Sequence, residues 1–120
     1  MRYVDAFVLA VPEKNLKAYR AMAQKAGKVW RGHGALEYVE AVADDLDVKF
    51  GVPFTRMMKP KPGETVVVSF IVYKSRADRD RVNNKVMKDP RMAEMMDKGT
   101  PMPFDVKRMV YGGFKTLVDL

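Results

Sequence analysis

Cysteine is absent from this 120-residue chain. That removes disulfides, thiolate metal sites and cysteine nucleophiles together. Histidine and tryptophan occur once each, so no His-x-x-x-His zinc pair can form. A one-histidine site would have to borrow carboxylates from Asp5, Glu37 or Glu40, and no metal is expected. Glycine-rich phosphate loops, nucleophile elbows and dinucleotide fingerprints are also missing, and no cofactor is expected. Ser69 and Ser75 have no sequence context that marks a nucleophile. Asp44-Asp45-Leu46-Asp47 lacks the turn glycine and the downstream Glu of a calcium loop. The longest apolar run, Val66 to Tyr73, is broken by Ser69 and is too short to span a bilayer. Met1-Arg2-Tyr3 leads directly into an alternating pattern, without the apolar core or cleavage site of a signal peptide. The expectation is a cytoplasmic protein with no membrane partner.

Acidic residues are the minority: 15 Asp and Glu against 22 Lys and Arg give a net charge of +7. That permits attraction to nucleic acid, anionic lipid or acidic metabolites and specifies none of them. With 48% hydrophobic residues the chain can build a core, and its length fits one domain over residues 1–120.

Residues 2–11 alternate, with Tyr3, Asp5, Phe7 and Leu9 on one face and Val4, Ala6, Val8 and Ala10 on the other, which reads as a strand covered on both sides. Residues 13–33 carry Leu16, Tyr19, Ala23, Ala26 and Trp30 at helical spacing, with Lys14, Lys17, Lys25, Lys28 and Arg31 opposite. Residues 35–43 and 65–73 are further strands, the second dense in β-branched residues. Ser75-Arg-Ala-Asp78 matches a capping box opening a helix to about Lys88. Asp89-Pro90 interrupts it before a short helical stretch over 91–97. Residues 106–118 form the last strand, and Gly112-Gly113 there signal a bulge or a close backbone approach. The 44–64 connection is unusually long and carries Phe50, Val52, Phe54, Met57 and Met58. It extends the hairpin, reaches over a partner or closes a pocket.

The order βαββαβ predicts an α+β, ferredoxin-like fold with a four-stranded antiparallel sheet and helices on one face. Apolar residues on both strand faces then call for a cover over the second face. A second copy of the chain supplies one.

Val4-Asp-Ala-Phe-Val-Leu, Leu16-Lys-Ala-Tyr-Arg-Ala-Met-Ala, Trp30-Arg-Gly-His-Gly-Ala-Leu-Glu-Tyr-Val-Glu40 and Tyr73-Lys-Ser-Arg-Ala-Asp-Arg-Asp-Arg-Val-Asn resemble the YbaA-like family of small bacterial proteins. Met102-Pro-Phe-Asp-Val-Lys-Arg-Met-Val-Tyr-Gly-Gly-Phe114 is similar to that family's closing segment. The resemblance covers essentially the whole chain. It implies a ferredoxin-like subunit pairing into a dimeric α/β barrel. That superfamily includes cofactor-independent monooxygenases, haem enzymes and dehalogenase-like enzymes. The family itself has no assigned function, so the resemblance brings no catalytic residues.

The candidate site therefore rests on chemistry. His33, at a helix C-terminus, is a general base, a donor to an anionic ligand, or a cap on the last carbonyls. Asp5, on an apolar strand face, needs a partner such as Arg108 or Lys107, or else acts as an acid. If the protein is an enzyme, Asp5 or Glu40 would orient His33. Trp30, Tyr19, Tyr38 and Tyr3 would wall a pocket for a small organic molecule between the first helix and the sheet, or serve as core. Turnover there would use neither metal nor flavin. The second reading is nucleic-acid binding through Lys14, Lys17, Lys25, Lys28 and Arg31. The aromatic spacing of RNA-recognition strands is missing, since Phe70 and Tyr73 fall on opposite faces. A purely structural or interaction protein is the third. Met87, Met92, Met95, Met96 and Met102 suit an adaptable packed surface.

Overall fold

The structure, a computed structural model, describes residues 1–96, 99 and 101–120. Its order is β1 (Tyr3–Pro12), a 3-10 turn (Glu13–Asn15), α1 (Leu16–Gly32), β2 (Glu37–Val42), α2 (Phe54–Met58), β3 (Glu64–Tyr73), α3 (Arg76–Met87), α4 (Pro90–Met95), a second 3-10 turn (Val106–Arg108) and β4 (Val110–Lys115). The strands form one antiparallel sheet in the order β2-β3-β1-β4, the ferredoxin-like arrangement.

The expected elements are present with shifted ends. The helix foreseen over 13–33 opens as a 3-10 turn. β2 is shorter than 35–43, and β4 is shorter than 106–118 because residues 106–108 coil into a turn capped by Asp105. Helix α2 inside the 44–64 connection was not anticipated; five residues are too few to show a periodicity. Asp97, the end of the helical stretch expected over 91–97, lies outside the described residues.

Local chemistry accounts for the helix ends. Ser75 Oγ accepts from the Asp78 N–H at 3.1 Å, which is half of the expected capping box. Asp78 spends its carboxylate on Arg81 instead, at 2.6 Å. Helix α1 ends at His33, and Gly34 follows with φ +119, a conformation open to glycine. Asp89 caps α4 by accepting from the Arg91 N–H, with Pro90 in the first turn.

The register fixes which residues share a face. Tyr3, Asp5, Phe7, Leu9 and Val11 lie with Tyr73, Ile71, Ser69 and Val67 of β3 and with Tyr38, Glu40 and Val42 of β2. The helices cover this face. Val29, Val82 and Val86 are buried against Ile71, Tyr73 and Ala35, and Tyr19 and Ala23 against Leu9, Val11 and Val67. Full burial of one such aliphatic side chain stabilises by about 1.5–3 kcal/mol.

The other face carries Val4, Ala6, Val8 and Ala10; Val66, Val68, Phe70 and Val72; Val39 and Ala41; and Val110, Gly112 and Phe114. Its described charges lie at the margins, where Glu37 pairs with Arg2 at 3.5 Å and Glu64 with Arg108 at 2.8 Å. At one end Ala10 and Val66 are buried, where α2 with its buried Met58 packs on β1 and β3. At the other, Phe114 is 60% exposed. Pairing of β1 with β4 is continuous through Gly112 and Gly113, so these glycines make no bulge. Gly113 is a close approach, with the Tyr3 ring and hydroxyl against the place a Cβ would occupy.

Candidate functional site

The helix face of the sheet holds two acidic side chains, Asp5 and Glu40, in neighbouring rows of the register. Asp5 is opposite Ile71, itself opposite Tyr38; Phe7 is opposite Ser69, itself opposite Glu40.

Glu40 stands at the floor of a cleft of about 1000 Å3 between α1 and the edge strand β2. Tyr19 donates its hydroxyl to Glu40 Oε1 at 2.6 Å, and Tyr38 donates to Oε2 at 2.9 Å. Burial, and then the neighbouring Glu40 charge, push both phenols well above their ordinary range. Both therefore remain donors, and Glu40 remains the acceptor. Among the described residues no cation forms an ion pair with Glu40. Each of its carboxylate oxygens accepts one tyrosine hydroxyl and keeps further lone-pair capacity.

The cleft has room because α1 is thin on this side. Tyr38 lies flat against Gly27, where a Cβ would come within 2.7 Å of the ring. Ala23, one turn earlier, offers only a methyl. Leu16, Val42 and Val67 complete the apolar lining, and Arg20, Gln24, Lys28 and Arg31 form the helix-side rim. Arg31 is already engaged, bonding the carbonyls of Ala35 and Leu36. No described carboxylate lies within ion-pair distance of Arg20 or Lys28.

The β2 edge forms the other wall. Ala43 N–H donates to Val66 O while Val42 pairs with Val67. By the alternation of antiparallel ladders, Tyr38, Glu40 and Val42 then turn their backbone groups outward from the sheet.

Asp5 is in a different setting. It is 5% exposed, and its partner is Arg79 of α3 at 3.1 Å. The expected partners on the last strand lie elsewhere: Arg108 makes two bonds to Glu64, at 2.8 and 2.9 Å, and Lys107 sits on the exposed turn before β4. The Arg79 guanidinium also lies 4.8 Å from the Tyr3 ring centre and 3.4 Å from the Tyr3 hydroxyl. Burial raises the Asp5 carboxyl above its ordinary range, and Arg79, Asn83 and Tyr73 pull it back. Asn83 Oδ1 accepts from Trp30 Nε1 at 3.0 Å and from the Tyr73 hydroxyl at 3.1 Å. Trp30 is thus tied into this packed network, its ring 6.1 Å from that of Tyr38.

His33 joins neither group. Its Nε2 lies 2.7 Å from Asp89 Oδ2, and its position is the C-cap of α1. Arg91, and then His33, hold the Asp89 carboxyl well below the usual carboxylate range. The structure therefore brings together Tyr19, Tyr38 and Glu40, and separately Tyr3, Asp5 and Trp30. It does not bring His33 to Asp5 or Glu40. Lys28 and Arg31 belong to the cleft rim, while Lys14, Lys17 and Lys25 are exposed on other parts of the first helical segment.

Arg79 and Asn83 were missed from sequence. Their signal is a helical stripe, Arg79, Val82, Asn83 and Val86, in which two polar residues share the buried side of α3. Arg20 was missed because it lies one position beside Tyr19, at the margin of the apolar stripe.

Residues 2–106 match the family described as "Protein of unknown function (DUF1428)". The chain is also 46% identical over 119 residues to the uncharacterized protein YbaA of Escherichia coli K12, covering 99% of each chain. This chain belongs to that family. The same identity is found with the YbaA protein of Shigella flexneri. Solved structures agree on the fold. Rv0793 from Mycobacterium tuberculosis superimposes with a TM-score of 0.58 at 15% identity, over 99% of this chain and 98% of that one. A nipsnap family protein of unknown function from Agrobacterium tumefaciens gives 0.58 at 14% identity, over 96% and 87%. A dimeric ferredoxin-like protein from an uncultured marine organism gives 0.50 at 14%, over 100% and 98%. Among the described residues no helix is long and apolar enough to cross a membrane.

Proposed function

We propose that this YbaA relative is a homodimer whose subunits, each one domain over residues 1–120, bind a small organic molecule in the cleft between α1 and β2. The observation that carries the ligand reading is the Tyr19–Glu40–Tyr38 group: a carboxylate with no ion-pair partner among the described residues, fixed by two hydroxyls in an apolar cleft. The cleft volume is at the upper end of the usual range for ligand pockets, about 300–1000 Å3. Glu40 is positioned to accept a hydrogen bond, or a proton, from whatever enters. If the ligand is turned over, Glu40 is the catalytic residue. His33, tied to Asp89, positions α1 against α4 rather than reacting.

Pairing rests on the second sheet face. A face of Val, Ala and Phe whose described charges are paired at its margins, Arg2 with Glu37 and Arg108 with Glu64, suits another copy of itself better than a phosphate backbone. The ferredoxin-like protein of similar shape from an uncultured marine organism is dimeric, which supports the same arrangement.

The test is a nitrogen-15 NMR titration of the full chain with a library of small apolar and polar fragments. Shifts gathered at Tyr19, Ala23, Tyr38 and Glu40 are expected, and a library that leaves all four unmoved overturns the ligand reading. Sedimentation at micromolar concentration should show a dimer that Phe70→Asp dissociates; a wild-type monomer overturns the pairing. Retention of RNA at physiological salt through Lys14, Lys17 and Lys25 would displace the ligand reading in favour of nucleic acid.

A further inference from the structure

The cleft also restricts what its ligand is. We propose that it takes a compact apolar carboxylic acid bearing a hydroxyl or amino donor about one aromatic ring away from the carboxylate; this rests on the cleft reading above.

Three placements define the two poles. Tyr19 reaches Glu40 from one turn of α1, and Tyr38, which also bonds Glu40, lies against Gly27 two turns later. The Glu40 carboxylate therefore sits near the level of Ala23, between them. With a rise of 1.5 Å per residue, Lys28 is about 7.5 Å further along the helix axis and Arg20 about 4.5 Å back. Both are exposed rim residues of the same cleft with no described carboxylate partner. Ala23 and Tyr38 wall the space between the poles, and Leu16, Val42 and Val67 continue the apolar lining.

The chemistry at each pole is one-sided. Glu40 already receives two donors and only accepts, so the group that meets it must be a donor. A ligand carboxylate placed there would be repelled. At the rim Arg20 and Lys28 have no described carboxylate partner, while Glu37, which also lines the cleft, is held by Arg2 at 3.5 Å, so an anion is favoured beside Arg20 and Lys28, and a guanidinium recognises a carboxylate in a fork. A ligand with a donor at one end and a carboxylate at the other satisfies both poles in one orientation. Its apolar middle leaves water for the lining.

The probes are 4-hydroxybenzoate, benzoate and 4-hydroxybenzamide, titrated into the 120-residue chain and read by nitrogen-15 shifts at Ala23, Tyr38 and Glu40. The hydroxy acid should bind about tenfold tighter than each of the others, the size expected when a bond to a charged group is lost. Glu40→Gln should shrink the advantage over benzoate, and R20Q/K28Q the advantage over the amide. The second variant changes only exposed residues, so it tests the anion pole without threatening the fold. If the amide or benzoate binds as tightly as the hydroxy acid, the ligand class is wrong and the cleft reading stands. If the acids fail while neutral fragments shift the same amides, the class is again overturned alone. If no probe and no fragment moves those amides, the cleft reading itself fails.

Discussion

Asp5 and Glu40 occupy the same face of one sheet, a row apart, with opposite fates. Asp5 is paired with Arg79 and sealed beneath α3 by Tyr3, Tyr73, Asn83 and Trp30. Glu40 has two tyrosine hydroxyls, no cation and an open cleft above it. The covering helix makes the difference. Over Asp5 it contributes long side chains that reach down and close the space. Over Glu40 it contributes Ala23 and Gly27, which leave the space empty. A neutralised, enclosed carboxylate fixes how α3 docks on β1. An unneutralised one facing a cavity has bonding capacity left for another molecule.

The largest effect should come from breaking the enclosed pair. Arg79→Met strands the Asp5 charge in the core and should cost about 3–5 kcal/mol in urea denaturation. Adding Asp5→Leu to that variant should recover much of the loss, since an apolar pair of similar volume is tolerated there. Glu40→Gln is the counterpart: it keeps one acceptor oxygen, its NH2 meets the second tyrosine hydroxyl as a donor, and it should change stability by no more than about 1 kcal/mol. Equal losses from Arg79→Met and Glu40→Gln would erase the distinction between the two carboxylates.

Gly27→Ala comes next. Its Cβ would meet the Tyr38 ring at 2.7 Å, so the ring must move, at a cost of about 1–3 kcal/mol. Because Tyr38 then loses its hold on Glu40, fragment shifts at the cleft should weaken while the Trp30–Asn83 bond keeps its protected indole proton in hydrogen exchange. A loss of protection at Trp30 would mean that the two regions are one unit. Tyr19→Phe should cost less, about 1 kcal/mol, because the ring keeps its edge contact with Phe104. Its signature is a change in cleft binding with a smaller fall in the urea midpoint than Gly27→Ala gives.

The fold was readable because strand alternation and helical stripes are local signals. Tyr3, Asp5, Phe7 and Leu9 share a face in the sequence pattern and in the structure, and Ser75 caps α3 where the pattern placed it. The site was readable by residue type but not by grouping. Tyr19, Tyr38 and Glu40 were candidates, yet nothing in their spacing says that two hydroxyls converge on one carboxylate across the α1–β2 turn. His33 drew attention by its chemistry. Its partner Asp89 lies 56 positions away, and no short motif connects them. Asp5 was recognised as needing a cation, but the register that turns it toward α3 rather than toward β4 is a tertiary property.

The smallest effect, and the one that most cleanly separates a carboxylate dominated by burial from one dominated by its bridges, is the pH dependence of stability. Burial raises the Asp5 carboxyl, against the pull of Arg79. Its contribution is therefore fully present below its unfolded value, near 3.9, and is lost as pH rises through the higher folded value. Asp89 behaves in the opposite sense. Arg91 and His33 lower it, so its contribution is present above the unfolded value and is lost as pH falls through the lower folded one. Measured by urea at about pH 3 and about pH 6, on either side of the ordinary carboxylate range, Asp5→Asn should gain relative to wild type as pH rises. Asp89→Asn should lose. Parallel slopes would mean that Arg79 outweighs burial at Asp5, making its pair electrostatically the same kind of bridge as the one at Asp89.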